Sequence, residues 1–215
     1  MITYDVHKKI NKFLEKRLAE NSIALTEEDI EKIVRYIHMI MRWNRVYNLT
    51  ADSDAEVLID KHIIESLLIA DLIKEKNVDV GAGAGFPSIL LAIKRPDAMF
   101  TLIESRGKKA RFLKDVCLAL QLKHVNVIYK RVEEYVSNTK FDCVLSRAFA
   151  NIQLMLQLSE HLCLPEGEFV ALKNFVPKEE LSSLSDKFQI LAVRPIVVSG
   201  DDKQRCAVRI GFAQK

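Results

Sequence analysis

Residue types and spacing first point to chemistry in the segment Asp79-Val80-Gly81-Ala82-Gly83-Ala84-Gly85-Phe86-Pro87. Glycines in this alternation let a backbone turn sharply and approach a ligand with no Cβ in the way. The segment follows an apolar run and opens a helical pattern. That places it at the carboxyl end of a strand, where open α/β sheets bind ligands. A dinucleotide fingerprint requires G-x-G-x-x-G. Counting from Gly81 and Gly83 puts Phe86 at the third glycine position, and counting from Gly83 and Gly85 puts Ser88 there. Neither frame fits. Asp79 would repel a pyrophosphate but suits a cation, while loop amides can still face a carboxylate. S-adenosylmethionine, with its ammonium, sulfonium and carboxylate, meets all three conditions.

Two more acids stand where such a ligand would need them. Glu104 ends the next strand pattern, roughly 20 residues past the loop, the place of a ribose-binding acid. Glu133, within Arg131-Val132-Glu133-Glu134 after a third strand pattern, offers a side chain and backbone to an adenine. A lone glycine loop is often only a tight turn. Two acids at successive strand ends make that reading inadequate.

Absences narrow the methyl acceptor. Exocyclic-amine methyltransferases carry Asn/Asp-Pro-Pro-Tyr after strand four, where this chain has Ser146-Arg147-Ala148-Phe149. No Pro-Cys is present to supply a thiolate for attack on a base carbon, and Cys143 falls within a strand pattern. What remains is a heteroatom with its own lone pair, such as a purine ring nitrogen or a hydroxyl. A guanine N7 would need no general base, so catalysis there would rest on proximity and in-line alignment. Arg147, at the end of strand four, is expected to position the base or the cofactor; the plainer alternative is an ion pair with a neighbouring acid.

These residues need elements to hold them. Val6, Ile10, Phe13, Leu14 and Leu18 recur at helical spacing, and Thr26 with Asp29 has the form of a capping box opening a second helix. A third helical pattern runs from Asp54 to Ile73. From Asn77 onward, strands near 78–80, 99–104, 125–129, 142–146 and 168–173 alternate with helices at 88–94, 108–120 and 152–162 and one after Pro177. Strands separated by helices imply βαβ units and a parallel sheet covered on both faces. Phe188–Val198 and Arg205–Phe212 are joined by a short link around Gly200-Asp201-Asp202 and must pair antiparallel. The expected fold is therefore a doubly wound, Rossmann-like methyltransferase sheet, mostly parallel with a C-terminal antiparallel hairpin. Its expected division is a helical region over 1–74 packed on a cofactor-binding domain over 75–215.

Composition sets limits. The 215 residues are 49% hydrophobic and 28% charged, with a formal net charge of only +3. A balance that mild does not draw polyanions by itself, so RNA contacts must come from local clusters. Two are present: Arg106, Lys108, Lys109, Arg111 and Lys114, and Lys8, Lys9, Lys12, Lys16 and Arg17. Trp43 and Tyr47 flank Arg45 and offer stacking surfaces, although Trp43 can equally close the core. The four cysteines are isolated and the five histidines lack ligand spacing, so no metal site is expected. No signal segment or membrane span is read, and a cytoplasmic, monomeric protein is expected.

The motifs taken together resemble one family. Trp43-Asn44-Arg45-Val46-Tyr47-Asn48-Leu49-Thr50, Lys61-His62-Ile63-Ile64-Glu65-Ser66-Leu67, Asp79 to Pro87, Glu104-Ser105 with Lys108-Lys109 and Arg111-Phe112-Leu113, and Ser146-Arg147-Ala148-Phe149-Ala150 occur in order over nearly the whole chain. They resemble the small-subunit ribosomal RNA methyltransferase G family, also called glucose-inhibited division protein B. The resemblance implies methyl transfer from S-adenosylmethionine to N7 of a guanine in bacterial small-subunit ribosomal RNA. It also implies cofactor contacts at Gly81, Phe86, Val132, Glu133 and Arg147. The chain departs from the family's usual pattern with Ser88 after Pro87, Glu65 before Ser66, and Asn174 after Lys173. Two competing readings are a nicotinamide-dependent reductase, disfavoured by Phe86 and Ser88, and an RNA assembly factor that binds the cofactor without turnover.

Overall fold

The computed structural model describes residues 4–214. Its first helices are α1 (Tyr4–Glu20) and α2 (Glu27–Tyr47). Thr26 caps α2 as its spacing predicts: its hydroxyl accepts from the Asp29 amide, and the Asp29 carboxylate accepts from the Thr26 amide. The buried stripes, Ile10, Leu14 and Leu18 on α1 and Ile33, Val34, Ile37 and Ile40 on α2, fall on one face of each helix.

The third helix is not continuous. Residues 54–73 form α3 (Ala55–Leu58), a π-helical turn (Ile59–Ile63), α4 (Ile64–Leu67) and a 3₁₀ turn (Ala70–Leu72). Apolar periodicity identifies the helical region correctly but is blind to one extra residue per turn. Such π turns concentrate at functional sites, and this one carries Lys61 and His62.

Then the sheet begins: β1 (Lys76–Val80), α5 (Ser88–Lys94), β2 (Met99–Glu104), α6 (Gly107–Ala119), β3 (Val125–Tyr129), β4 (Phe141–Arg147), α7 (Ile152–Ser159), β5 (Cys163–Lys173), α8 (Lys178–Ser182), β6 (Phe188–Ile196) and β7 (Arg205–Phe212). The strand order is β3-β2-β1-β4-β5-β7-β6. β1 to β5 pair in parallel, while β7 runs antiparallel to both β5 and β6. The chain reverses its direction of travel across the sheet between β1 and β4, and that switch point leaves a crevice at their carboxyl ends. Asp79 and Arg147 stand on its two sides.

Alternate residues of each strand feed two cores. Phe100, Leu102, Cys143, Leu145, Val170 and Leu172 join α1 to α6 on one face. Val78, Val80, Ile103, Val144, Phe169 and Ala171 meet α7 and an aromatic cluster of Phe169, Phe188 and Phe212 on the other. Helix α5 is buried from Ser88 through Ile93 because it lies between the sheet and the N-terminal helices. Among the described residues no helix is long and apolar enough to cross a membrane.

Candidate active site

At the end of β1 the glycine loop is tied to the neighbouring strand. The amides of Gly81 and Ala82 donate to the Ile103 carbonyl at 2.9 and 3.1 Å, and the Gly85 amide closes a turn on the Ala82 carbonyl at 2.8 Å. Gly81 and Gly85 have φ of +75° and +101°, and a Cβ there would lie 2.4 Å from the Phe149 ring and 2.6 Å from Ile89. Both positions therefore require glycine. At Gly83, φ +61°, a Cβ would meet nothing closer than 3.8 Å. The backbone there faces open space. That space belongs to a cleft of about 1070 Å³, lined by the loop, by Phe86, Glu104 and Arg147, and by residues of the N-terminal helices.

Asp79 lies under the loop, 1% exposed. Its Oδ2 accepts from the Ser88 hydroxyl at 2.6 Å, while Oδ1 is buried with no hydrogen-bond partner. Burial pushes its pKa up to about 7, against the opposing Ser88 hydrogen bond. Asp79 does not itself line the cleft, but its buried, unpartnered oxygen beneath the loop can accept from a donor that enters there, such as the ammonium of S-adenosylmethionine. The residues present fit that cofactor.

Glu104 is buried too, but not as a free ribose acceptor. One carboxylate oxygen accepts from the Gly83 amide at 2.9 Å and the other from the Arg106 amide at 2.7 Å. The side chain thus shapes the loop, and only its remaining lone pairs face the cleft. Gly81, Gly83, Phe86, Glu104 and Arg147 are brought together around the cleft. Asp79, Val132 and Glu133 are not among its lining, Asp79 lying beneath the loop. Val132 is 4% exposed and packs in the core opposite the N-terminal helices, and Glu133 is exposed, 3.8 Å from Arg131. Both sit on a 3₁₀ turn after β3, one strand further from the switch point.

Arg147 reaches back to the π turn. Its Nη2 donates to the Lys61 carbonyl, His62 Nδ1 and Glu65 Oε2 at 3.1, 2.7 and 3.2 Å, and its Nη1 is buried without a partner. The plainer expectation, an ion pair with a neighbouring acid, is therefore present in the structure. His62 also faces Asp52 through Nε2 at 3.0 Å and stacks on Phe86 with ring centroids 4.7 Å apart. Accepting from Arg147 at Nδ1 leaves Nε2 as the protonated nitrogen. Burial and then the Arg147 charge lower the His62 pKa to about 4.

Several members of this network were not singled out from sequence for these roles. Glu65 is 2% exposed and meets both Arg147 and Arg205, at 3.2 and 3.5 Å. Its signal was a charge on the same short helix as the apolar residues Ile64 and Leu67. Tyr36, fully buried on α2, donates from its hydroxyl to the Ala84 carbonyl at 2.6 Å, so the helical region also holds the glycine loop. Lys173 bridges the Ala150 carbonyl and Glu180, whose Oε2 also accepts from the Ile152 amide at 2.6 Å. Trp43 closes the core against Phe112, at 5.4 Å between ring centroids.

A family model described as rRNA small subunit methyltransferase G matches residues 29–207. The chain is 39% identical over 198 residues to the Ribosomal RNA small subunit methyltransferase G of Psychromonas ingrahamii, covering 92% of this chain and 96% of that relative. It is 38% identical to the protein of the same name from Escherichia fergusonii, over the same shares. The fold is similar to that of the glycopeptide N-methyltransferase MtfA complexed with S-adenosyl-L-homocysteine, with a TM-score of 0.61 at 10% identity over 71% of this chain and 87% of that one. The mitomycin 7-O-methyltransferase MmcR gives a TM-score of 0.60 at 12% identity, covering 87% and 69%. These two likenesses concern the fold alone, the Rossmann-like methyltransferase sheet.

Proposed function

The chain belongs to the rRNA small subunit methyltransferase G family, and from that premise we propose that it methylates N7 of a guanine in small-subunit ribosomal RNA. The observation that carries the reading is the Asp79 carboxylate, buried with one oxygen unpartnered beneath an open glycine loop. When bound, S-adenosylmethionine supplies a methyl group activated by its sulfonium charge. Asp79 and the loop carbonyls at Gly81 and Gly83 would hold its ammonium, since the amides expected to face its carboxylate are already bonded to Ile103 and Glu104. Arg147 fixes the opposite wall of the cleft through Glu65 and His62.

The state of His62 supports N7 over a hydroxyl. A hydroxyl acceptor must lose its proton during transfer and calls for a base. Among the described residues His62 is the one histidine lining the cleft and both of its ring nitrogens are engaged, while the Glu65, Glu104 and Glu180 carboxylates that also line it already accept hydrogen bonds within the protein. An N7 lone pair needs no base, so positioning alone suffices. In this reading residues 75–215 bind the cofactor, 1–74 pack on them, Val132 and Glu133 meet the adenine end, and the chain acts as a cytoplasmic monomer.

Incubation with methyl-labelled S-adenosylmethionine and small ribosomal subunits from a strain lacking this gene tests the reading. Label is expected in the RNA, released on digestion as N7-methylguanosine. Subunits that stay unlabelled, or label on another atom, would overturn it.

A further inference from the structure

Beside the main cleft lies a second cavity of about 580 Å³, lined by Asn44, Arg45, Asn48, Thr50 and Lys109 among others. It shares Leu49, Thr50 and Lys109 with the cleft, so the two adjoin. Its volume falls within the range of roughly 300–1,000 Å³ that small-ligand sites occupy. One wall is a shaped loop. The Asn44 side-chain amide donates to the carbonyls of Thr50 and Asp52 at 3.0 and 3.3 Å and accepts from the Thr50 amide at 3.0 Å, and Asn48 turns the chain in the left-handed region at φ 46°.

The two basic clusters differ in how they are neutralised. On α1, Lys9 pairs with Glu56 at 3.0 Å, Lys16 with Glu20 at 3.7 Å, and Arg17 with both Glu20 and Asp60. Among the described residues, neither Arg45 nor Arg106, Lys108 or Lys109 forms an ion pair with a carboxylate. Lys108 instead lies over the exposed Tyr47 ring, 5.1 Å from its centroid. Uncompensated cations lie along the mouth of the second cavity and run into the cleft, whereas most of the α1 cations are already spoken for.

We propose that this second cavity is the docking site for the RNA strand beside the target guanine, with Arg45 and Lys109 holding the phosphate of a flanking nucleotide. The inference rests on the reading of the chain as an RNA methyltransferase and adds where the strand runs. Uncompensated cations on two different elements, converging on a cavity that adjoins the transfer site, match a polyanion that must pass there. Phosphate contacts of this kind position a strand without reading its sequence.

The test compares two variants of the full chain that lower the net charge by the same amount: R45Q/K109Q at the cavity and K9Q/K16Q on α1. Binding is read by fluorescence anisotropy with a fluorescein-labelled single-stranded RNA of roughly 12 nucleotides, at several salt concentrations. R45Q/K109Q is expected to weaken binding about tenfold and to make the salt slope shallower by about 0.7, the value for one single-strand phosphate contact. K9Q/K16Q should change affinity less than about twofold. Equal losses in both variants, no loss in R45Q/K109Q, or no binding by the unchanged chain would each overturn the docking site. Affinity is read without turnover, so these outcomes are separate from failure of methyl transfer to subunits.

Discussion

A carboxylate held in the interior with one oxygen unpartnered is strained toward its protonated form, and Asp79 shows this in a pKa raised to about 7. In the ligand-free chain the raised value favours folding at low pH, and that contribution fades as pH rises through the interval from the ordinary carboxylate value to about 7. A ligand ammonium needs the opposite state. Affinity for S-adenosylhomocysteine, which carries the same ammonium, should therefore rise about tenfold between roughly pH 6 and 8, with release of a proton. Calorimetry in buffers of different ionisation enthalpy measures that release directly. Ser88 supplies the hydrogen bond that lowers the Asp79 pKa. Ser88→Ala should accordingly move the midpoint of the affinity profile to higher pH. If apparent binding enthalpies agree in all buffers and the profile is flat, Asp79 does not meet the ligand.

At the scale of elements, the end of β4 is fastened to the segment from the π turn through α4. Glu65 lies at the centre of that fastening, between the guanidinium groups of Arg147 and Arg205. Removing one partner of a buried ion pair strands the other charges and typically costs about 3–5 kcal/mol. Glu65→Ala is expected to lose stability of that order in urea unfolding and to weaken cofactor binding, because Arg147 then has no fixed wall to form. A variant as stable as the parent would show that the network contributes no net stability. The same elements show what was legible beforehand. The glycine loop, the alternation of strands and helices, the capping box at Thr26 and the terminal hairpin all follow from local rules, and all are found. The π turn was not legible, because an extra residue in a turn leaves an apolar pattern looking helical. The partners of Glu104 and Arg147 were not legible either. Gly83 lies 21 residues from Glu104, and Glu65 lies 82 from Arg147, so those contacts are set by tertiary packing rather than by local spacing.

For the molecule as a whole, the helices before the sheet are part of its core rather than an appendage. Buried residues of α1, α2 and α3 share one continuous cluster with Leu90 and Leu91 of α5, Phe112 and Leu113 of α6, and Leu102, Leu145 and Val170 of the sheet. Tyr36 adds a polar tie from the same helices to the glycine loop. Removing residues 1–74 would leave α5, buried on every side in the full chain, facing water along one side, and would leave the Ala84 carbonyl without its donor. At about 25 cal/mol per Å² of newly exposed apolar surface, uncovering even a few such side chains approaches the whole stability of an ordinary domain. A fragment of residues 75–215 contains every proposed cofactor ligand, yet it is expected to show no cooperative thermal transition, to bind hydrophobic dyes and to retain no measurable affinity for S-adenosylhomocysteine. Differential scanning calorimetry and dye fluorescence check the first two and titration checks the third. A cooperative melt near that of the full chain would mean that the sheet carries its own core, and that the helical region serves RNA binding rather than folding.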